Sequence, residues 1–365
     1  MDERRSSSAP PGVHLRRSTE RNDEVDALGA ALSAAGGGRV GLSGVLSDLN
    51  RTATAVRVPA RAAKWGFRWN TQDLRSPRWW PQGITMSADR DDSEVYDGRQ
   101  IVLTSWYSKD IAGLHKGSRI TVVDLAEGRP RYRHVLLVDV FTRDDGRVDV
   151  RPMKVHAGGI VWHGEHLHVA GTARGISTFR LDDVMRVGST GDPEQLGVGR
   201  GSYGYRYLLP VRFTYDALAD EGHELLRYSF LSLDRGSEEP RLVAGEYGRR
   251  GRTTRLVYFG INPADSLLRL SDEGHARPLS LSPEGLEGMQ GAAVVNGRWY
   301  VTTSAGPYRR GSLYVGRPGD FRRRGRVLPV GVEDIAYWPS RDELWSLSEY
   351  PGRRFVFAMD RSRIG

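Results

Sequence analysis

Four positions spread along the 365-residue chain place an amide or titratable side chain directly before a run rich in apolar, β-branched or aromatic residues. Gln82 precedes "GITM", His156 precedes "AGGIVW", Gln290 precedes "GAAVV", and Glu333 with Asp334 precede "IAYW". Arg227, before "YSFLSL", is a fifth such entry. A carboxylate near an imidazole draws both pKa values toward neutrality, so Glu333 or Asp334 facing His156 would be an acid/base pair. Amides at Gln82 and Gln290 would orient a polar ligand between them. Trp106, Tyr107 and Tyr350 offer faces on which a sugar, a nucleobase or a polycyclic scaffold stacks. Arg174, Glu246, Tyr308 and Glu349 complete the set of polar residues at matching places in the chain. This chemistry requires that entries far apart in sequence converge in space.

Repetition of the surrounding segments supplies the convergence. The C-terminal stretch "DIAYWPSRDELWSLSEYPGRRFVFAMD" holds three strand-like runs separated by turn formers, a three-stranded meander. The same order recurs at Arg227 to Asn262, where "AGEYG" stands for "LSEYPG", and again from Gly158, from Gln290 and from Pro81. Spacings between copies of about 76, 69, 63 and 43 residues match propeller blades carrying loop insertions. The expected fold is an all-β propeller of five blades, with six as the alternative if a long interval hides a copy that has lost its motif. Outer fourth strands are expected in "RYRHVLLVDVF", "YRYLLPVRFTYD", "HARPLSLS" and "RGRVLPVGV". The last copy has none after it, so "ATAVRVPARAAKWGFRW", ahead of the first copy, is expected to latch the ring. In this geometry the entries to the first strands and the loops between second and third strands rim one mouth of a central funnel.

Two regions follow: residues 1–55 as a disordered tail with a short helical segment, and 56–365 as a single propeller domain. The first 24 residues are charged and rich in Ser and Pro, which favours disorder. "VDALGAALSAAGGG" carries a helix pattern stopped by three glycines. With 39% hydrophobic residues, 44 glycines and 18 prolines, the composition suits many short strands and turns. There is no cysteine, so disulfides, thiol nucleophiles and thiolate metal sites are excluded. The net charge of +8 is carried almost wholly by arginine in predicted loops. Without an RRM, KH or helix-turn-helix pattern it reads as solvated turns rather than a nucleic-acid surface.

Three further motifs are weighed and set aside. His163, His166 and His168 in "WHGEHLHVAG" suggest zinc, but repeat alignment puts His168 opposite Tyr300 and Trp345, an aromatic packing position. "GVGRGSYGYR" lacks the strand-then-helix context of a phosphate cradle and reads as a flexible insertion. Calcium takes about 6–8 oxygen ligands, and the funnel set offers one acidic pair plus glutamines, so no metal or other cofactor is assigned, with calcium kept as an alternative.

The set "WWPQGIT", "SWYSKD", "GSRITVVDL", "VHAGGIVW", "ARGISTFRLDD", "MQGAAVVNGRWY" and the C-terminal stretch resembles a family of actinobacterial β-propeller proteins generally labelled as secreted proteins of unknown function. The resemblance spans most of the chain after about residue 60. It implies a propeller and supplies no reaction. Members commonly carry export signals. Here the charged N-terminus does not run into the roughly 7–15 apolar residues of a signal peptide. The expectation is therefore a cytoplasmic protein, with an extracellular one as the alternative the resemblance implies. No stretch reaches the roughly 18 apolar residues of a membrane span. The functional expectation is a monomeric propeller binding a small organic or glycan-like ligand in its funnel. Metal-independent acid/base chemistry of hydrolase, lyase or cyclase type would run on Glu333, Asp334 and His156. A non-catalytic binding platform and a calcium-dependent lactonase-like hydrolase are the alternatives.

Overall fold

The structure, a computed structural model, describes residues 12–126, 129–188, 201–237 and 239–364. Twenty of its strands group into five antiparallel meanders of four strands each. Meander one is Trp79–Met86, Ile101–Ser108, Ser118–Asp124 and Arg131–Thr142. Meander two is Ile160–His163, His166–Ala170, Gly175–Arg180 and Tyr207–Ala219. Meander three is Phe230–Asp234, Arg241–Gly245, Leu256–Gly260 and Pro278–Ser282. Meander four is Met289–Val295, Arg298–Thr303, Ser312–Arg317 and Asp320–Arg324. Meander five is Val332–Trp338, Glu343–Ser348, Phe355–Asp360 and, from the other end of the chain, Ala63–Arg68.

The innermost strands touch in the order one, two, three, four, five and back to one, so the sheets close into a ring, a β-propeller. Each neighbouring pair of sheets buries its own apolar cluster. Ile120, Trp162 and Phe179 lie between one and two, and Phe213, Leu231 and Leu242 between two and three. Phe230, Trp299 and Val301 lie between three and four, Leu313, Ile335 and Phe357 between four and five, and Trp69, Trp106 and Trp345 between five and one. Fully burying one such side chain stabilises by about 1.5–3 kcal/mol, and period-two alternation along each strand sends residues to both flanking interfaces.

Around the axis the inner strands approach too closely for side chains. A Cβ on Gly83 would lie 2.9 Å from the Ile160 nitrogen, one on Gly159 2.0 Å from the Leu231 nitrogen, and one on Gly291 2.6 Å from the Asp334 Cα. Hydroxyls from the first or second strands then tie one sheet to the next. Ser105 Oγ donates to the Ala157 carbonyl at 2.7 Å, Thr302 Oγ1 to the Glu333 carbonyl at 2.7 Å, and Ser232 Oγ to the Ala292 carbonyl.

Two expectations change. The outer strand of meander four is Asp320–Arg324, not "RGRVLPVGV", which forms the approach to the next inner strand. The charged "DFRRR" reads as a loop by composition, yet it is a solvent-facing edge where a strand needs no apolar face. From residue 12 onward the N-terminal extension is docked on the ring. Val13–Arg17 pairs with Tyr207–Ala219, and the helix Asn22–Ala34 buries Val25, Leu28 and Leu32 against Leu136, Val138 and Leu208. The "VHL" apolar triplet inside a polar tail is enough to add a strand to an open edge. Residues 197–200 of the glycine-rich insertion lie outside the described residues.

The latch makes a testable claim. Gly66 sits in the closing strand, where an added Cβ would meet Val58 Cγ2 at 2.6 Å and the Val356 carbonyl at 2.7 Å. Gly66→Val is expected to destabilise by about 1–3 kcal/mol through overpacking. Denaturant unfolding checks it, and an unchanged midpoint would mean that this strand does not close the ring.

Candidate functional site

Ring closure brings the ends of the chain's repeats to one place. Glu333 lies near the start of meander five's inner strand and Glu349 follows its second strand. The Glu333 carboxyl is buried and hydrogen-bonds the Glu349 carboxyl. Two glutamines from neighbouring sheets hold the pair from either side. Gln82 Nε2 donates to Glu349 Oε2 at 3.0 Å, and Gln290 Nε2 donates to Glu333 Oε1 at 3.0 Å. The sheet-one glutamine is itself fixed by a 2.8 Å bond from Nε2 to the Pro81 carbonyl.

Burial pushes the Glu333 pKa well above the carboxylate range, and the charges of Glu349 and Asp334 push it further. Burial also raises Glu349, but the Gln82 amide, Lys109, the Tyr350 hydroxyl and Arg354 pull it back. Two carboxyls in mutual contact disfavour double ionisation, and Glu349 is the more readily ionised member.

Aromatic rings frame the pair. Burial and the two carboxylates raise the Tyr107 hydroxyl, and they raise Tyr350 to about 12, so both phenols stay protonated as donors. Tyr350 sets its ring edge-on to Trp80 at 5.5 Å, and Lys109 Nζ lies 3.2 Å from the Trp80 centroid. His156 packs its ring against Tyr107 with centroids 4.5 Å apart. Its side chain is exposed, yet desolvation lowers its pKa. A neutral imidazole there serves as an acceptor near neutral pH. Glu349, Tyr107, Tyr350 and Gln290 are half-buried, so the carboxyl pair borders solvent.

Other expected residues stand elsewhere. Asp334, next to Glu333, is fully buried and serves the ring wall, its Oδ2 accepting from the Ile84 N–H at 3.2 Å. Trp106 is buried against Trp69 and His134 and offers no ligand face. Glu246 is held by Arg255 in a two-pronged ion pair, Nε to Oε2 at 3.0 Å and Nη2 to Oε1 at 2.9 Å, and also accepts the Arg227 and Arg255 N–H groups. Those partners lower its pKa against the effect of burial and keep it an anion. Tyr308 is 91% exposed at a loop tip, and Arg174 is exposed on the rim of a separate cleft. The three histidines do not converge: His163 Nδ1 lies 3.0 Å from the Asp89 carbonyl, and His168 Nδ1 3.0 Å from Thr178 Oγ1. Among the described residues no group of three or more His, Asp or Glu side chains is placed to share a metal ion.

Sequence reasoning missed Trp80 and Arg354 and gave Lys109 no role. Trp80 could have been found, since it immediately precedes the Pro81 and Gln82 entry. Arg354 could not, because nothing in "PGRRF" says which of two arginines turns inward. Arg354 is fully buried and donates Nε to the Glu349 carbonyl at 2.6 Å and Nη1 to the Asp73 carbonyl at 2.7 Å. It joins the site to a second polar cluster. Thr121 Oγ1 lies 2.7 Å from His134 Nδ1, and His134 Nε2 lies 3.0 Å from Asp73 Oδ1. Arg119, the Tyr132 hydroxyl and Arg51 also contact Asp73, at 3.0, 2.8 and 3.4 Å. This hydroxyl, imidazole and carboxylate series mimics a nucleophilic relay, but Thr121 has no exposed surface, so the cluster is structural.

No family model matches the chain, and no curated protein matches it. Among solved structures, a gluconolactonase from Xanthomonas campestris aligns over 97% of this chain and 88% of its own at 12% identity and a TM-score of 0.33. The Swd1 β-propeller domain of Myceliophteria thermophila aligns over 82% and 99% at 10% identity and 0.37. The GH43_1 enzyme of Xanthomonas citri, complexed with xylotriose, aligns over 82% and 90% at 13% identity and 0.33. Similarity this weak transfers neither a residue nor an activity.

Burial holds His134 and His168 neutral, each pushed down to about 3 from 6.5. Below pH 6.5 the unfolded chain takes up protons that the native state refuses, so this stabilisation is complete above 6.5 and lost progressively toward 3. His168→Phe removes one of these groups at a position aligned with Tyr300 and Trp345. Its melting temperature is expected to fall less steeply than wild type between about pH 6.5 and 4. Parallel curves would contradict it.

Proposed function

We propose that the protein is a propeller enzyme that binds a small polar, glycan-like ligand at this mouth. In this reading it moves protons with the Glu333 and Glu349 pair without help from a metal. The observation that carries the reading is the buried Glu333 carboxyl set against the half-buried Glu349 carboxyl at a solvent border. Keeping two acids in contact and away from water is costly, and ring closure does not require it. Glu333 supplies the proton to a leaving group or carbonyl oxygen. Glu349, the more readily ionised partner, accepts one from water or from a substrate hydroxyl. Gln82 and Gln290 fix the carboxyl planes, Trp80, Tyr107 and Tyr350 give stacking and hydrogen-bonding surface, and neutral His156 contacts the ligand as an acceptor.

Mutual contact also narrows the reaction. Glycosidases hold their two carboxyl groups about 5–5.5 Å or 6.5–9.5 Å apart, with the substrate or water between them. A directly hydrogen-bonded pair favours attack on a carbonyl, as in ester or lactone hydrolysis or an internal cyclisation. The second reading, a ligand platform without turnover, draws support from the glutamine bonds, which also brace sheet five against sheets one and four.

The test is a turnover and thermal-shift screen against lactones, esters and oligosaccharides, repeated on Glu333→Gln and Glu349→Gln. Both variants are expected to melt near wild type and to lose about 10²–10⁴-fold in kcat/KM. The wild-type pH profile is expected to be a bell with both limbs above the ordinary glutamate value of 4.5, because the active form carries one proton on the pair. Wild-type rates in both variants would overturn the acid/base assignment. Ligands that stabilise the protein without being converted would establish the platform.

A further inference from the structure

A second cavity, of about 1050 Å³, opens where sheets one and two meet. Its floor is apolar, with Met153, Val155 and Val211, and its rim includes Leu114 and Tyr203, which leave 52% and 44% of their surface to solvent. Five cationic side chains line it against two carboxylates. One carboxylate, Asp139, is already taken by Arg151 at 2.6 Å and by Arg21. The other, Asp216, accepts the Thr214 hydroxyl at 2.8 Å. Lys116, Lys154 and Arg174 are exposed, and among the described residues none of the three has an ion-pair partner.

From this we infer that the cleft binds an organic anion with an apolar body, a carboxylate or a sulfonate on a hydrocarbon or aromatic frame. An apolar floor under unpaired cations satisfies both halves of such a molecule, whereas a simple anion gains nothing from the floor and a neutral amphiphile nothing from the rim. The volume lies just above the roughly 300–1,000 Å³ of small-molecule pockets. The inference is independent of the carboxyl pair. It gives Arg174 the role of an anion contact in this cleft rather than in the funnel.

The experiment uses the full chain with anilinonaphthalene sulfonate as the probe, read by fluorescence titration. Saturable binding is expected, with displacement by decanoate and none by inorganic phosphate or the uncharged decyl maltoside at equal ionic strength. The Lys154→Glu, Arg174→Glu double variant, at two exposed positions, is expected to weaken the probe at least about tenfold while its circular dichroism stays that of wild type. The inference is overturned if the probe fails to bind or the double variant binds it as wild type does. Displacement by phosphate or maltoside as effective as that by decanoate would overturn it equally.

Discussion

Closure of the ring is the constraint on which the rest depends. Meander five has only three strands of its own, and Ala63–Arg68 supplies the fourth by pairing with Phe355–Asp360. This joins the two ends of the sequence and seats the fifth sheet against the first, burying Trp69, Trp106 and Trp345 in the seam. The proposed site lies across that seam and the one before it. Gln82 comes from sheet one, Gln290 from sheet four, and both carboxyls from sheet five. The candidate chemistry therefore exists only in the closed ring.

Buried charge is handled in two ways in this molecule. Asp73 and Glu246 each face a guanidinium: Arg119 and Arg255 respectively. Those pairs offset their desolvation and hold the carboxylates ionised, which is a structural use. Glu333 and Glu349 instead face each other and two neutral amides. Lys109, and Arg354 through the Glu349 backbone carbonyl rather than its carboxyl, bias which member ionises without fixing the pair as anions. That difference in partners separates the proposed site from acidic positions that look equivalent in sequence. Glu246 and Glu349 occupy the same place in their repeats, yet one is locked by Arg255 while the other faces Glu333.

The repeated meanders, the outer strands of sheets one, two and three, and the latch from the N-terminal side were legible in the chain, because strand periodicity and turn residues are local properties. Entry residues Gln82, Gln290 and Glu333 were legible too, since repeat position fixes which end of a strand faces the mouth. The edge strand "DFRRR" was not, because exposed strands need no apolar pattern, and neither was the docked "VHL" strand inside a polar tail. Trp106 and Tyr107 show the limit at one-residue scale. Both stand in the same motif, but strand alternation sends Trp106 into the core and Tyr107 to the site.

By itself, then, the sequence determined an all-β ring of repeated sheets and the few places where polar side chains meet its axis. Only the tertiary structure decided that Glu349, not His156, partners Glu333, that Arg354 turns inward, and that Glu246 is locked. The physical reason is that repeats encode local backbone geometry, whereas pairing and protonation depend on distances between side chains of different sheets, which closure alone sets.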